Sequence, residues 1–158
     1  MMVEHSELPR DVRLLHSFFR IHRNLARLAR RTAVKNGLSF PQFIVLMMIA
    51  PRKKMTQKMI GERTFIPKST LSQAVDGLVK AGYLLRRPVE GNRRESELAL
   101  SKEGEAFFGE LLRQEGSVAS FFAKACQALS DRQYRLLLEA HQVIAEALEQ
   151  EQGDKSRC

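Results

Sequence analysis

The sequence predicts a mainly α-helical chain with one small β-hairpin, on three observations. Apolar residues recur at helical spacing over most of the length, beginning with Val12, Leu15, Phe18 or Phe19, Leu25 and Leu28. Strand-like alternation is confined to residues 83–101, on either side of a turn at Glu90-Gly91-Asn92. Helix-stopping and helix-starting residues, among them Gly37, Ser39, Pro67 and Gly82, divide the remainder into segments of ordinary helix length.

The 158 residues are read as one domain, 1–158, long enough to bury a core without disulfide or metal staples. The composition, 44% hydrophobic and 28% charged, is globular, and no apolar run approaches the ~20 residues that span a bilayer. The opening MMVEHSELPRD has no apolar core of a secretory leader, and Cys126 and Cys158 are too few for a disulfide framework. The expectation is a cytoplasmic protein with no membrane partner. The net charge of +8 is unevenly distributed: residues 1–50 carry +5, residues 51–100 carry +6 and residues 101–158 carry −3. A basic region of this kind suits a polyanion, because each phosphate neutralised releases counterions; a solvated surface is the alternative.

Residues 7–35 form the first helix, with arginines between apolar positions spread over more of its circumference than one core-facing stripe needs. Gly37 ends it. Ser39 and Gln42 make an S-x-x-Q capping box for a second helix, FPQFIVLMMIA, which is apolar nearly all round and is expected at the centre of the domain. Met47 and Met48 are read as core filler. Pro51 to Lys54 reads as a basic linker, Thr56 caps a third helix QKMIGERTF, and Pro67 takes the first position of a fourth running to Ala81.

At ~100° per residue, the fourth helix puts Leu71, Ala74, Val75, Leu78 and Val79 on one arc and Ser69, Ser72, Gln73, Asp76 and Lys80 on the other. The second arc is small and polar near its start, as a helix entering the major groove needs. Gln73 suits an adenine edge, Ser69, Thr70 and Ser72 suit bases or phosphates, and Lys68 suits the backbone. Asp76 either accepts from a cytosine amino group or pairs with Lys80 at i,i+4. Past Gly82, YLLRRPV and ESELALS form the hairpin, with Leu98 and Leu100 inward. Arg86 and Arg87 lie on the outgoing strand, and Arg93 and Arg94 at the turn, placed to follow phosphates or enter a narrow minor groove; pairing with Glu95 or Glu97 is the alternative for one of them.

From Ser101 a helix continues, weakened by Gly104, Gly109 and Gly116, so that packing compensates or it bends near Gly116. A second S-x-x-Q box, Ser130 to Gln133, opens a last helix whose Tyr134, Leu137, Leu138, Val143, Ile144 and Leu148 suit pairing with another chain. The tail QGDKSRC is expected to fray. Nothing points to an enzyme: His5, His16, His22 and His141 lack metal-ligand spacing, and neither a phosphate-binding glycine loop nor a nucleophile motif is present.

Helix, break, polar-faced helix and basic hairpin in that order make a winged helix-turn-helix. Residues 38–104 resemble the MarR family of bacterial transcription regulators in LSFPQFIVL, in MTQKMIGERTFIPKSTLSQAVDGLVKAGYLLRR and in NRRESELALSKEG. The spacing from wing arginines to the L-[TS]-x-x-G turn, here Leu100 to Gly104, is the most specific part. The resemblance implies a homodimer joined through residues 7–36 and 102–152, with a winged-helix lobe over 38–101 that binds a pseudo-palindromic duplex operator as a repressor. It implies no cofactor. Asn92 stands where the family pattern D-x-R has aspartate, and Phe65 where a small residue is common. Family members bind small aromatic anions, and Arg side chains, His16 and Phe18 or Phe19 lie in the corresponding region. Others sense oxidants through a cysteine of the first helix, which this chain lacks; Cys126 is read as a core residue and Cys158 as a tail thiol. The competing reading is a winged-helix protein-interaction module that dimerises without specific DNA binding.

Overall fold

The computed structural model describes residues 8–154, which divide between Val118 and Ala119 into two compact units. The first contains five helices and a small sheet. Helix α1, Arg10–Lys35, starts behind Pro9 and is buried only near its end, at Ala29, Thr32 and Ala33. Leu38 seals the turn after Gly37. Helix α2, Phe40–Ile49, opens with the expected reciprocal box: Ser39 Oγ accepts from Gln42 N–H at 3.2 Å, and Gln42 Oε1 from Ser39 N–H at 2.9 Å.

Phe43, Val45, Leu46 and Ile49 of α2 are buried at the heart of the core, each such side chain contributing roughly 1.5–3 kcal/mol. The helix is not buried all round, however, for Met47 is 40% exposed and only Met48 packs against the core. A hydropathy pattern with no polar face carries no information about which side stays open.

The basic linker is structured. A 3₁₀ turn, Ala50–Arg52, leads into strand β1, Lys54–Thr56, and Thr56 then caps α3, Gln57–Thr64, accepting from Met59 N–H at 3.1 Å. Helix α4 runs Lys68–Lys80; Pro67 is its N-cap (φ −53°, ψ 140°) rather than its first helical residue. Strands β2, Leu84–Val89, and β3, Asn92–Leu100, make the hairpin, and β1 joins them in an antiparallel sheet of order β1-β3-β2. Met55 lies opposite Leu98 and both are buried, so β1 anchors the hairpin to the core.

Helix α5, Lys102–Arg113, begins at a tightly knitted corner. Ser101 Oγ accepts from Gly104 N–H at 2.9 Å and donates to Gly82 O at 2.5 Å, while Ser101 N–H donates to Tyr83 O at 3.1 Å. Gly104 is required there, because an added Cβ would stand 2.1 Å from Tyr83 O. The helix then breaks, as the bend expected near Gly116 requires: Gly116 takes φ +76°, which a side chain would strain. Asn36 and Gln114 exchange two amide hydrogen bonds, 3.0 and 2.8 Å, and Thr32 Oγ1 accepts from Val118 N–H at 3.2 Å, tying the end of α1 to this break.

The second unit holds α6, Val118–Ala128, apart from its first residue, and α7, Asp131–Asp154. The expected Ser130–Gln133 box is present, at 2.9 and 3.2 Å. Cys126 is exposed, not a core residue: of α6 only Val118 is buried, so the turn that carries Cys126 lies outside the core. Helix α7 extends through Asp154 into the tail expected to fray; the rest of that tail, Cys158 included, and His5 lie outside the described residues. Among the described residues no single helix is long and apolar enough to cross a membrane.

Candidate nucleic-acid interface

The break between α3 and α4 is tight. Phe65 ends α3 in the left-handed region, φ 55°, unusual for a bulky residue, and the residue is 74% exposed. Thr64 Oγ1 donates to Ile60 O at 2.7 Å and accepts from Ile66 N–H at 3.5 Å, which stabilises this turn without a glycine. Two residues later α4 begins, oriented by its apolar side.

Leu71, Ala74, Val75 and Leu78 are buried and Val79 packs against them, so the arc expected to face the core does so. On the opposite side Lys68, Ser69 and Gln73 are exposed, while Thr70 and Ser72 are half-buried. Ser72 has a structural partner: its Oγ accepts from Gln57 Nε2 at 3.2 Å, joining α3 to α4.

Asp76 does not pair with Lys80. Its carboxylate accepts from Arg86 Nη2 of strand β2, so one predicted contact residue is engaged within the lobe. The i,i+4 pair loses because the tertiary fold brings a guanidinium over the carboxylate, a stronger donor than a lysine free to extend into water. The other cations of the hairpin, Arg87, Arg93 and Arg94, are exposed. Glu97 is occupied by Lys54, Nζ to Oε2 3.3 Å, rather than by a wing arginine. At the tip Asn92 Oδ1 accepts from Arg94 N–H at 3.1 Å, so the residue in the aspartate position still braces the turn as an acceptor. A polar-faced helix and a cationic hairpin thus belong to one compact lobe, with no acid on the helix's free side left unpaired.

Sequence reasoning missed β1, Gln57 and the Asp76–Arg86 pair. Gln57 carried no local signal, and the pair joins residues on a helix and a strand whose approach depends on the folded lobe. Elsewhere, Arg10, Arg13, His16, Phe19 and Arg20 line a recess along the first half of α1; Phe18 is half-buried. Among the described residues no cluster of three or more His, Cys, Asp or Glu is placed to hold a metal ion.

These features define a winged helix-turn-helix protein. Residues 36–95 match the model of the MarR family. The transcriptional regulator SarZ of Staphylococcus epidermidis is 34% identical over 68 residues, 43% of this chain and 46% of that protein, so this match spans about half of the relative's length. SarZ of Staphylococcus aureus is 28% identical over 106 residues, 67% of this chain and 70% of that one. In fold, the chain is similar to a MarR family regulator of Listeria monocytogenes complexed with a 26mer DNA, with a TM-score of 0.73 at 20% identity over 87% of this chain and 89% of that one. A MarR regulator of Methanosarcina mazei gives a TM-score of 0.71 at 20% identity, covering 87% and 96%. The chain is thus similar to MarR family transcriptional regulators, most specifically over residues 36–95. Family and relatives are regulators rather than enzymes.

Proposed function

We propose that this regulator is a homodimer that binds duplex DNA sequence-specifically and represses genes near its operator. The observation that carries the reading is the lobe itself: α4 leaves Lys68, Ser69 and Gln73 open on one side, and Arg87, Arg93 and Arg94 stand free on the adjoining hairpin. Base edges are read by the first set and phosphates or a narrow minor groove by the second. The DNA complex of the similar Listeria regulator supports a duplex partner. Pairing of two chains is supported by the open apolar residues of the long helices, Leu14, Leu15, Phe19 and Ile21 on α1 and Leu136, Leu138, Val143 and Leu148 on α7. The cationic recess on α1 would admit a small aromatic anion that releases the protein from DNA.

The test selects genomic fragments with purified protein and measures binding against salt. Salt-dependent binding by a species of dimer mass supports the reading. A dimer without duplex binding would leave the protein-interaction reading instead. Gln73→Ala should relax preference at one operator position by ~1–3 kcal/mol, read by competition between single-base operator variants. Equal loss on every sequence would remove Gln73 from the base-reading set.

A further inference from the structure

We propose that Arg86 is a positioning residue rather than a phosphate contact: its ion pair with Asp76 sets the angle between the wing and α4, so that both engage one duplex together. The inference rests on the reading of the lobe as a duplex-DNA binder.

Strand geometry separates the two neighbouring arginines. Side chains alternate across a sheet, so Leu84 and Arg86 share one side of β2, and Arg87 takes the other with Leu85. Leu84 is buried, and Arg86 lies opposite Leu98, also buried, so the Arg86 side is the one turned toward the core helices. Beyond the edge of that core its guanidinium meets Asp76. Arg87, one residue on, has the opposite face and stays free for a polyanion.

The pair also spans a hinge. Only Ala81, Gly82 and Tyr83 connect α4 to β2, and Gly82 adopts φ +82°. Asp76 precedes that corner by more than a helical turn, and Arg86 follows it on the strand, so their contact braces helix and strand on both sides of the bend. Asp76 is the only acid in α4, and 64% of its side chain is exposed. An unpaired carboxylate there would repel a polyanion, so the pair cancels that repulsion while fixing geometry. Two contact elements held at the right separation bind as one, and their joint affinity collapses when the linkage loosens.

The experiment compares wild-type protein with Asp76→Ala, Arg86→Ala and the double variant in operator titrations across salt. If the pair positions the wing, Asp76→Ala weakens binding by about tenfold on every sequence, although it removes a negative charge from the DNA-facing surface. Arg86→Ala gives the same loss with an unchanged salt slope, and the double variant loses no more than either single. Amide exchange over residues 84–89 of the free protein accelerates in both single variants, a readout independent of DNA.

Tighter binding by Asp76→Ala with a salt slope steeper by about 0.9 would show a freed phosphate-binding arginine and overturn the proposal. Unchanged affinity and exchange would overturn it too. A loss confined to operators carrying one particular C·G pair would make Asp76 a base reader, again against it. Absence of salt-dependent binding by the wild-type protein would instead remove the DNA reading itself.

Discussion

Helix α4 and the hairpin wing expose similar groups to solvent, yet they are held in place by different forces. Half of α4 is sealed into the core through Leu71, Ala74, Val75 and Leu78, so its free side is oriented by burial. Beyond Leu84 and Leu98 the wing buries no side chain: its ladder with β3, the Asp76–Arg86 pair and the Asn92–Arg94 hydrogen bond hold it, and all its cations are exposed. Burial of one apolar side chain outweighs an exposed ion pair, which is typically worth ~0–1 kcal/mol. Changes on the inner side of α4 should therefore act on stability, and changes on the wing on binding.

The largest effect is expected where the two regions meet. Gly104→Ala drives a methyl group against the Tyr83 carbonyl, a backbone atom that cannot rotate away, so α5 must shift and the Ser101 corner open. A loss on the order of 4 kcal/mol in urea unfolding is the expected outcome. A near-normal midpoint would mean that the corner yields, and that α4 and the wing are not fixed through it. Leu78→Ala, of similar size, leaves a cavity beneath α4 and should cost about 2–5 kcal/mol in the same measurement. Its affinity for DNA should fall only with the folded fraction. A wild-type melting curve with lost binding would contradict the division between the two regions.

On the wing the balance inverts. Replacing both Arg93 and Arg94 by Ala should leave unfolding within ~0.5 kcal/mol of wild type. Duplex affinity should fall about a hundredfold on all sequences, and the salt slope by about two, as two lost phosphate contacts require. A titration in which affinity and slope stay at wild-type values would take the wing out of the interface.

What the sequence made legible follows the same boundary between local and tertiary causes. Both S-x-x-Q boxes, the Thr56 cap and the two sides of α4 rest on residues within a few positions of one another, and the structure contains each. Strand β1 was hidden in a basic run because Met55 alone marks it as apolar, and three residues form a strand only when β3 supplies the partners. Gly104 was visible as a weak helix former, but its reason, the Tyr83 carbonyl, belongs to another element. Asp76 has a cation at i+4 on its own helix, and Arg86 is brought to it only by folding. The candidate contact residues were recognisable as types; which of them the lobe uses for itself, as with Ser72 and Arg86, was not.

The smallest expected effect concerns the tip of the wing, where Asn92 separates two roles that aspartate would combine. As an acceptor Asn92 Oδ1 holds the Arg94 N–H, and being uncharged it sets no negative charge against those of Arg93 and Arg94. Asn92→Ala removes the acceptor, and the loss expected is about 0.5–1.5 kcal/mol in affinity, with faster exchange of the Arg94 amide and an unchanged salt slope. Asn92→Asp keeps the acceptor and strengthens the turn, but sets a negative charge beside the groove, so the slope should fall while Arg94 exchange slows. If neither variant alters that exchange, the ladder with β2 holds the tip unaided, and the contrast with α4 narrows to the Asp76–Arg86 pair.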